Sequence, residues 1–415
     1  MKTYVPPSVS MHMAEGWSRF ALRFSEYYDS LSPKSTWVPP RLASREWMFI
    51  PWGSSPPDRH RGFNDKTSLL EYLKRRTPHS CFHSTAYYDL PSNRKMSEKG
   101  WRGADLIFDL DGDHLPGVSD SDFPMMMETI QDQAWRLWSE FLEPEFGFKE
   151  SNVQTSFSGH RGFHIHVRDP NLLHLDSNAR REIVNYIRGE GIDMQSAVSG
   201  GDIGWGKRAK NGMNDILDKL RSVNEKGNEG DKILRELHEI LKSRAKSPRV
   251  NIKNTSMTKI RELAEMSESP KRVERLSDDY SLSVFGDECT PIFWELVKGD
   301  ASVVMSSAGE TDEAVTVDTK RVIRWIGSLH GKSGLRVTEF PLSRLDPSTS
   351  GSFDPLSETV VFSRQRKMWV SLLRDDIVAK IADESVEGSI GDRIEVSEAM
   401  ATFLTLKGWA SVSPQ

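Results

Sequence analysis

The sequence predicts an α/β protein of the α+β kind, a mixed β-sheet flanked by helices with a mainly helical subdomain inserted into it. Three patterns carry that expectation. Apolar and polar residues alternate over short runs in the first part of the chain, as at Asp105-Leu106-Ile107-Phe108-Asp109-Leu110-Asp111 and again from about 152 to 168, and a period of two belongs to a strand with one covered face. From 174 to about 298 the pattern turns helical and highly charged, with Gly/Asn-rich breaks at Gly200 to Gly206 and Asn224 to Gly230. After residue 310 alternation returns at Ala314-Val315-Thr316-Val317 and at Thr359-Val360-Val361-Phe362. The chain therefore divides into a first part of the core over 1–172, the helical insertion over 173–300, and the remainder of the core with the C-terminal region over 301–415.

Taken in order, residues 12 to 30 read as an amphipathic helix, and a proline-rich connection leads to the short aromatic strand Glu46-Trp47-Met48-Phe49-Ile50. A helix is expected near 67 to 76, a strand at 104 to 111, a helix around 122 to 142, and a hairpin over about 152 to 168. Basic stretches of the insertion, such as Lys242-Ser243-Arg244-Ala245-Lys246, read as a solvated helix face or as a local contact for nucleic acid. Met125-Met126-Met127 and helical aromatics such as Phe293 and Trp294 read as core.

Composition bounds the function. At 415 residues with 37% apolar and 9% aromatic content the chain can build a real core. Its net charge of −5 gives no overall basic field, so a nucleic-acid surface has to be local. Cys81 and Cys289 are too few for a disulfide framework, a cysteine-rich zinc site or an iron–sulfur cluster. No segment approaches the apolar length of a membrane helix, and the first residues lack a long apolar run. A cytoplasmic protein without membrane association is expected.

Side chains alternate across a strand, so Asp109 and Asp111 leave by one face while Phe108 and Leu110 leave by the other. Two carboxylates then meet in one small space, which costs free energy unless a cation lies between them, and hard oxygen ligands suit a divalent cation. The strand points to metal-dependent phosphate chemistry. A second cluster, Phe157-Ser158-Gly159-His160-Arg161-Gly162-Phe163-His164-Ile165-His166-Val167, combines a glycine-bearing turn, a hydroxyl and a guanidinium suited to phosphate oxygens. His164 and His166 share one face of its outgoing strand; they suit phosphate or metal, and His166 reads equally as a space-filling residue. A third cluster, Arg321 to Gly334, sets Arg321, Arg324, His330 and Lys332 among glycines after the acidic Thr311-Asp312-Glu313. Its Gly331-Lys332-Ser333 is not a P-loop, because Gly327 stands five positions before Lys332 where that loop requires six.

These motifs, in this order, together with Arg45-Glu46-Trp47, His83-Ser84-Thr85-Ala86-Tyr87-Tyr88 and Glu98-Lys99-Gly100-Trp101-Arg102-Gly103-Ala104, resemble the catalytic small subunit of archaeal and eukaryotic-type DNA primases, with an archaeal flavour. The resemblance covers most of the chain. It implies a primase-type catalytic core in which Asp109, Asp111 and Asp312 are catalytic and hold two divalent ions, Mg²⁺ or Mn²⁺. It implies nucleotide contacts from Ser158, His160, Arg161 and His164 on the hairpin, from Arg324, His330 and Lys332 on a second loop, and from Arg45. Strands at 104 to 111, 152 to 168 and about 312 to 318 are expected to lie side by side so that the three acids converge. The activity implied is de novo synthesis of short primers from nucleoside triphosphates on single-stranded DNA, and the partner implied is a large iron–sulfur primase subunit in a heterodimer.

Three departures qualify the transfer. Eukaryotic relatives carry two arginines where this chain has His160-Arg161, so nucleotide affinity is expected to rise at lower pH. Many relatives carry a cysteine-rich zinc knuckle after the aspartate strand, whereas 112 to 119 holds no cysteine, so no structural zinc is expected there. Asp318 competes with Asp312 for the third ligand role. Asp105 reads as a strand-end acid, and His79 and His83, flanking Cys81, read as packing. Two other functions remain open: a primase-like polymerase domain that extends existing ends in end-joining repair, and a non-catalytic nucleic-acid-binding subunit.

Overall fold

The computed structural model describes residues 10–413 except 54, 113–117, 226, 248, 253, 280–283 and 302–314. The chain opens with α1 (Ser10–Ser30), β1 (Trp47–Ile50), β2 (Asp58–Arg61), α2 (Lys66–Arg76), β3 (Ser80–Ser84), β4 (Ala86–Tyr88), β5 (Trp101–Ala104), β6 (Leu106–Asp111), α3 (Phe123–Arg136), β7 (Val153–Phe157) and β8 (Gly162–Val167). Helices follow: α4 (Ser177–Ile187), α5 (Met194–Ser199), α6 (Gly204–Val223), α7 (Asn228–Ala245), α8 (Met257–Ser267), α9 (Pro270–Asp279) and α10 (Gly286–Ala301). The last part holds β9 (Val322–Arg324), β10 (Thr338–Phe340), α11 (Pro355–Glu358), β11 (Lys367–Leu372), β12 (Ile377–Ile381), β13 (Glu384–Gly388), β14 (Arg393–Ser397), α12 (Glu398–Leu406) and β15 (Ala410–Val412). Mixed helices and antiparallel sheets make an α+β fold.

Two antiparallel sheets matter for function, one ordered β2-β1-β3-β9 and the other β10-β7-β8-β6. In the second, Leu106, Phe108 and Leu110 join Phe163, Ile165 and Val167 on the apolar face, and α3 covers them with Met126, Met127 and Ile130. The opposite face is polar: Asp109 stands across from His164, and His164 in turn from Ser156. The two sheets are stitched where the end of one meets the start of the other, since the Asp105 N–H donates to the Thr85 carbonyl at 2.9 Å.

That junction is built from buried charge. Arg45 donates through Nη2 to Asp105 Oδ2 at 2.7 Å and through Nη1 to the carbonyls of Ser84 and Thr85 at 2.9 and 2.7 Å. Arg168 Nε reaches the same Oδ2 at 3.2 Å, and Tyr87 donates to Oδ1. Arg180 of α4 donates to the backbone carbonyls of Asp105 and Ala104 at 2.9 and 2.8 Å. A second buried pair, Lys99 Nζ to Glu46 Oε2 at 2.6 Å, holds the segment before β5 against β1.

A separate apolar cluster runs from Met194 to Val297 through α5–α10. The α4 residues Val184 and Ile187, by contrast, pack with the main core. The C-terminal sheet β14-β11-β15 and the β12–β13 hairpin pack with α12, and Arg23 of α1 pairs with buried Glu398 of α12 at 3.0 Å. No helix among the described residues is long and apolar enough to cross a membrane.

Two expected strands are not strands. Residues 315–317 form a turn, followed by another in which the Lys320 N–H donates to Asp318 Oδ1 at 2.8 Å; an alternation this short does not tell a strand from a turn. The strand that follows, β9, joins β3 in the other sheet, so β6 has β8 as its neighbour and no strand from 312 to 318 beside it among the described residues. The segment 360–362 is likewise irregular, and Phe362 instead packs its ring 6.0 Å from Phe24. The helix expected to 142 does continue there, but as a π-helical stretch, Leu137–Leu142.

Replacing Asp105 with alanine leaves the buried guanidiniums of Arg45 and Arg168 without a counter-charge, and removing one partner of such a set costs about 3–5 kcal/mol. Urea denaturation of Asp105→Ala is expected to show that loss. Burial alone would raise the Asp105 pKa, but the charges of Arg45 and Arg168 outweigh it and hold the carboxyl below its ordinary value. Its stabilisation is therefore present at neutral pH and fades only as pH falls through that depressed value.

Candidate active site

The C-terminal end of β6 carries both carboxylates to the polar face, with the side chains of Asp109 and Asp111 19% and 37% exposed. Antiparallel register decides what meets them. His164 lies opposite Asp109 and brings Nε2 to 3.3 Å from Oδ1, while the turn beyond Gly162 brings Arg161 Nε to 3.1 Å from Asp111 Oδ1. Gly162 is needed for this, because a Cβ there would collide with the Leu110 carbonyl oxygen. From the other sheet, Arg324 at the end of β9 lies over the Phe82 ring at 4.8 Å, and its Nη1 is buried with no hydrogen-bond partner. Burial brings the Arg324 pKa down to about 10, against the pull of Asp109 and Asp111. It stays cationic at neutral pH.

The two glycine-bearing loops are locked together. In the hairpin turn the Ser158 N–H donates to the Gly162 carbonyl at 2.8 Å, and the Gly162 N–H donates to Ser158 Oγ at 3.1 Å. Gly159 has φ +85°, and a Cβ on it would stand 2.9 Å from that of His330. Ser333 Oγ donates to the Gly159 carbonyl. Across this junction the imidazoles of His160 and His330 stack at 4.8 Å and 19°. Lys332 donates its N–H to His330 Nδ1 at 3.0 Å, which leaves the His330 proton on Nε2. The Lys332 side chain is exposed at the loop's edge. The arrangement sets cationic groups from two interlocked loops beside two carboxylates and is suited to polyphosphate.

Two expectations change, those for Arg45 and for the pH response of His160. Arg45 is fully buried and its guanidinium is spent on Asp105 and backbone carbonyls, so it is a structural residue of the sheet junction and does not face a nucleotide. His160 is buried, and desolvation together with Lys407 and Arg161 pushes its pKa well below the ordinary histidine value; the same holds for His330, with Arg324 adding to burial. Both rings are neutral, so the expected rise of affinity at lower pH has no source in His160. Asp312 lies outside the described residues. Asp318 caps its own turn at the Asp105 end of β6, because the Thr85 N–H, next to Asp105, donates to the Arg321 carbonyl just beyond that turn. Among the described residues no third acid or histidine completes a metal-binding group with Asp109 and Asp111.

Sequence reasoning also missed Lys407, whose Nζ lies 4.6 and 4.5 Å from the rings of Phe123 and Trp409, beside His160. Nothing in its local sequence signals that position; the turn after α12 creates it.

A strand-borne carboxylate pair, with Arg161 from the hairpin turn and Arg324 from the end of β9 beside it on an α+β scaffold, defines a site with the charge pattern of an enzyme acting on phosphate groups. The chain belongs to the DNA primase small subunit family: the family model of that description matches residues 108–342. It is 34% identical over 417 residues to the DNA primase small subunit PriS of Methanothrix thermoacetophila, covering 94% of this chain and 97% of the relative. Identity is likewise 34% over 408 residues to that of Methanosarcina barkeri, with 94% of each chain covered. It is 34% over 413 residues to that of Haloarcula marismortui, with 94% of this chain and 96% of the relative covered.

Because folded His160, His166 and His330 resist protons that the unfolded chain accepts near pH 6.5, stability is expected to fall as pH drops from about 7 to 5. Urea midpoints measured across that window check this. Nucleotide affinity of His160→Gln should follow the same pH profile as that of the unsubstituted protein; a divergence near pH 6 would mean that His160 titrates on the ligand.

Proposed function

We propose that this chain is the catalytic subunit of a DNA primase, a nucleotidyltransferase that builds short primers de novo from nucleoside triphosphates on single-stranded DNA. The observation that carries the reading is the presence of Asp109 and Asp111 on one face of β6 with the Arg161 guanidinium 3.1 Å from Asp111 and the unpartnered Nη1 of Arg324, which feels the charge of both carboxylates. In the reaction a 3′-hydroxyl oxygen bonds to the α-phosphorus and the bond to pyrophosphate breaks.

The donor set fits Mg²⁺ or Mn²⁺, since both carboxylates offer hard oxygens from one strand. Asp109 and Asp111 would hold the ions with Asp312 as the proposed third ligand. When bound, such ions lower the pKa of the attacking hydroxyl and offset charge on the leaving pyrophosphate. Arg161 and Arg324 grip the phosphate oxygens, His330 offers its Nε2 proton, Lys332 adds charge at the rim, and the Ser158 hydroxyl remains free to donate. The partner proposed is a large iron–sulfur subunit in a cytoplasmic heterodimer; Cys81 and Cys289 are both buried, so a cluster would belong to that other chain.

Asp109→Ala and Asp111→Ala are each expected to cut primer synthesis on single-stranded DNA by roughly 10²–10³ while the protein stays folded, as losing several kcal/mol of transition-state stabilisation implies. Synthesis retained in both would sink the reading, and a strict need for a supplied primer would favour end extension. Arg324→Ala should raise KM for the nucleotide by about 10–100-fold, the loss of a charge-assisted hydrogen bond, with circular dichroism unchanged.

A further inference from the structure

The polar face of β6, β8 and β7 continues inward past Asp109. There His164 Nδ1, His166 Nε2, Ser156 Oγ and His83 Nε2 are buried and have no hydrogen-bond partner within the protein. Buried polar atoms in folded proteins are almost always paired, with protein or with ordered water. Register sets Ser156 directly across from His164, and the His164 and His166 rings lie edge to face with centroids 6.0 Å apart.

Their outer partners fix the tautomers. Arg168 Nη2 donates to His166 Nδ1 at 3.5 Å, which puts the His166 proton on Nε2. Burial keeps that ring neutral. His164 turns Nε2 toward the Asp109 carboxylate at 3.3 Å, where a lone pair would be repelled, so the neutral ring carries its proton on Nε2 and presents Nδ1 as an acceptor. His166 thus offers a donor and His164 an acceptor to the same space, and the Ser156 hydroxyl can act as either. Three such partners are the number that an ordered buried water typically takes. A metal does not: the histidines here form no metal-binding group among the described residues.

We propose that one buried water joins His166 Nε2, His164 Nδ1 and Ser156 Oγ, making His166 a positioning residue for Asp109. The chain of contacts then runs from Asp105 through Arg168, His166, the water and His164 to the Asp109 carboxylate. It holds His164 in one tautomer and one orientation, and so fixes the oxygen that Asp109 presents. Outer partners of this kind typically change metal affinity or activity by 10–100-fold. The inference rests on the reading of Asp109 as a metal ligand.

Imidazole ¹⁵N NMR on the metal-free protein and Mn²⁺ titration test it together. His164 is expected wholly in its Nε2–H form. In His166→Phe the tautomers should mix, Mn²⁺ affinity should fall about tenfold, and kcat should fall by a similar factor while KM for the nucleotide stays within about twofold. His166→Gln, which keeps a donor, should return both to within about threefold. An Nδ1–H form of His164 in the unsubstituted protein overturns the proposal without any variant, and so does a folded His166→Phe that binds Mn²⁺ unchanged. Unchanged Mn²⁺ affinity in Asp109→Asn would overturn the metal reading, and the positioning role with it, while the His164 tautomer is still read independently.

Discussion

The buried carboxylate of Asp105 is the constraint from which the rest of the site is built. Strand β6 has β8 on one side and no described strand on the other, so the backbone ladder alone leaves half of its position unset. Arg45, Arg168 and Tyr87 take up the carboxylate, and Arg180 takes the adjoining carbonyls. With the start of the strand held this way, a fixed rise per residue carries Asp109 and Asp111 to a defined place at its other end. A buried ion pair is weak evidence for net stability, since desolvation offsets most of the attraction. What such a set provides is geometry: each guanidinium has its directions taken by specific oxygens, and no neighbouring arrangement satisfies them all.

The cations around the carboxylates follow a second logic. Arginine carries the positive charge, and the histidines between the loops carry none. Stacked and desolvated, His160 and His330 act as neutral spacers that let Arg161, Arg324 and Lys332 set a potential that does not vary over the physiological range. The bond from Ser333 to the Gly159 carbonyl ties the two loops into one wall. A preformed wall costs little reorganisation when a polyanion arrives.

Local period and turn chemistry were legible: the strand ending in Asp109 and Asp111, the hairpin around Ser158 to Gly162, the helical run from 174 to 298, and the grouping of Arg324, His330 and Lys332 near the acids. What the sequence did not carry was environment. Arg45 looks like any arginine until Asp105, 60 positions away, is seen to bury it. His160 looks titratable until His330 stacks on it. Val315-Thr316-Val317 alternates like a strand, yet it forms a turn in which Thr316 is buried along with Val317. In each case the deciding partner is distant in sequence, and no local signal encodes it.

The helical segment bears on the site through one contact. Its first helix, α4, packs Val184 and Ile187 into the main core and sends Arg180 to the carbonyls at the foot of β6, whereas the separate apolar cluster begins only at Met194. Burial lowers the Arg180 pKa to about 10, which still leaves it charged at neutral pH, and three carbonyl dipoles, those of Leu175, Asp105 and Ala104, satisfy that charge. A guanidinium so placed is stable only while these carbonyls point at it, so α4 and the base of β6 hold each other in register. Mechanically α4 belongs to the catalytic core, and α6 leans on that core as well, with Trp205 packed edge to face on Phe141 and Arg208 paired with Glu145 at 2.6 Å.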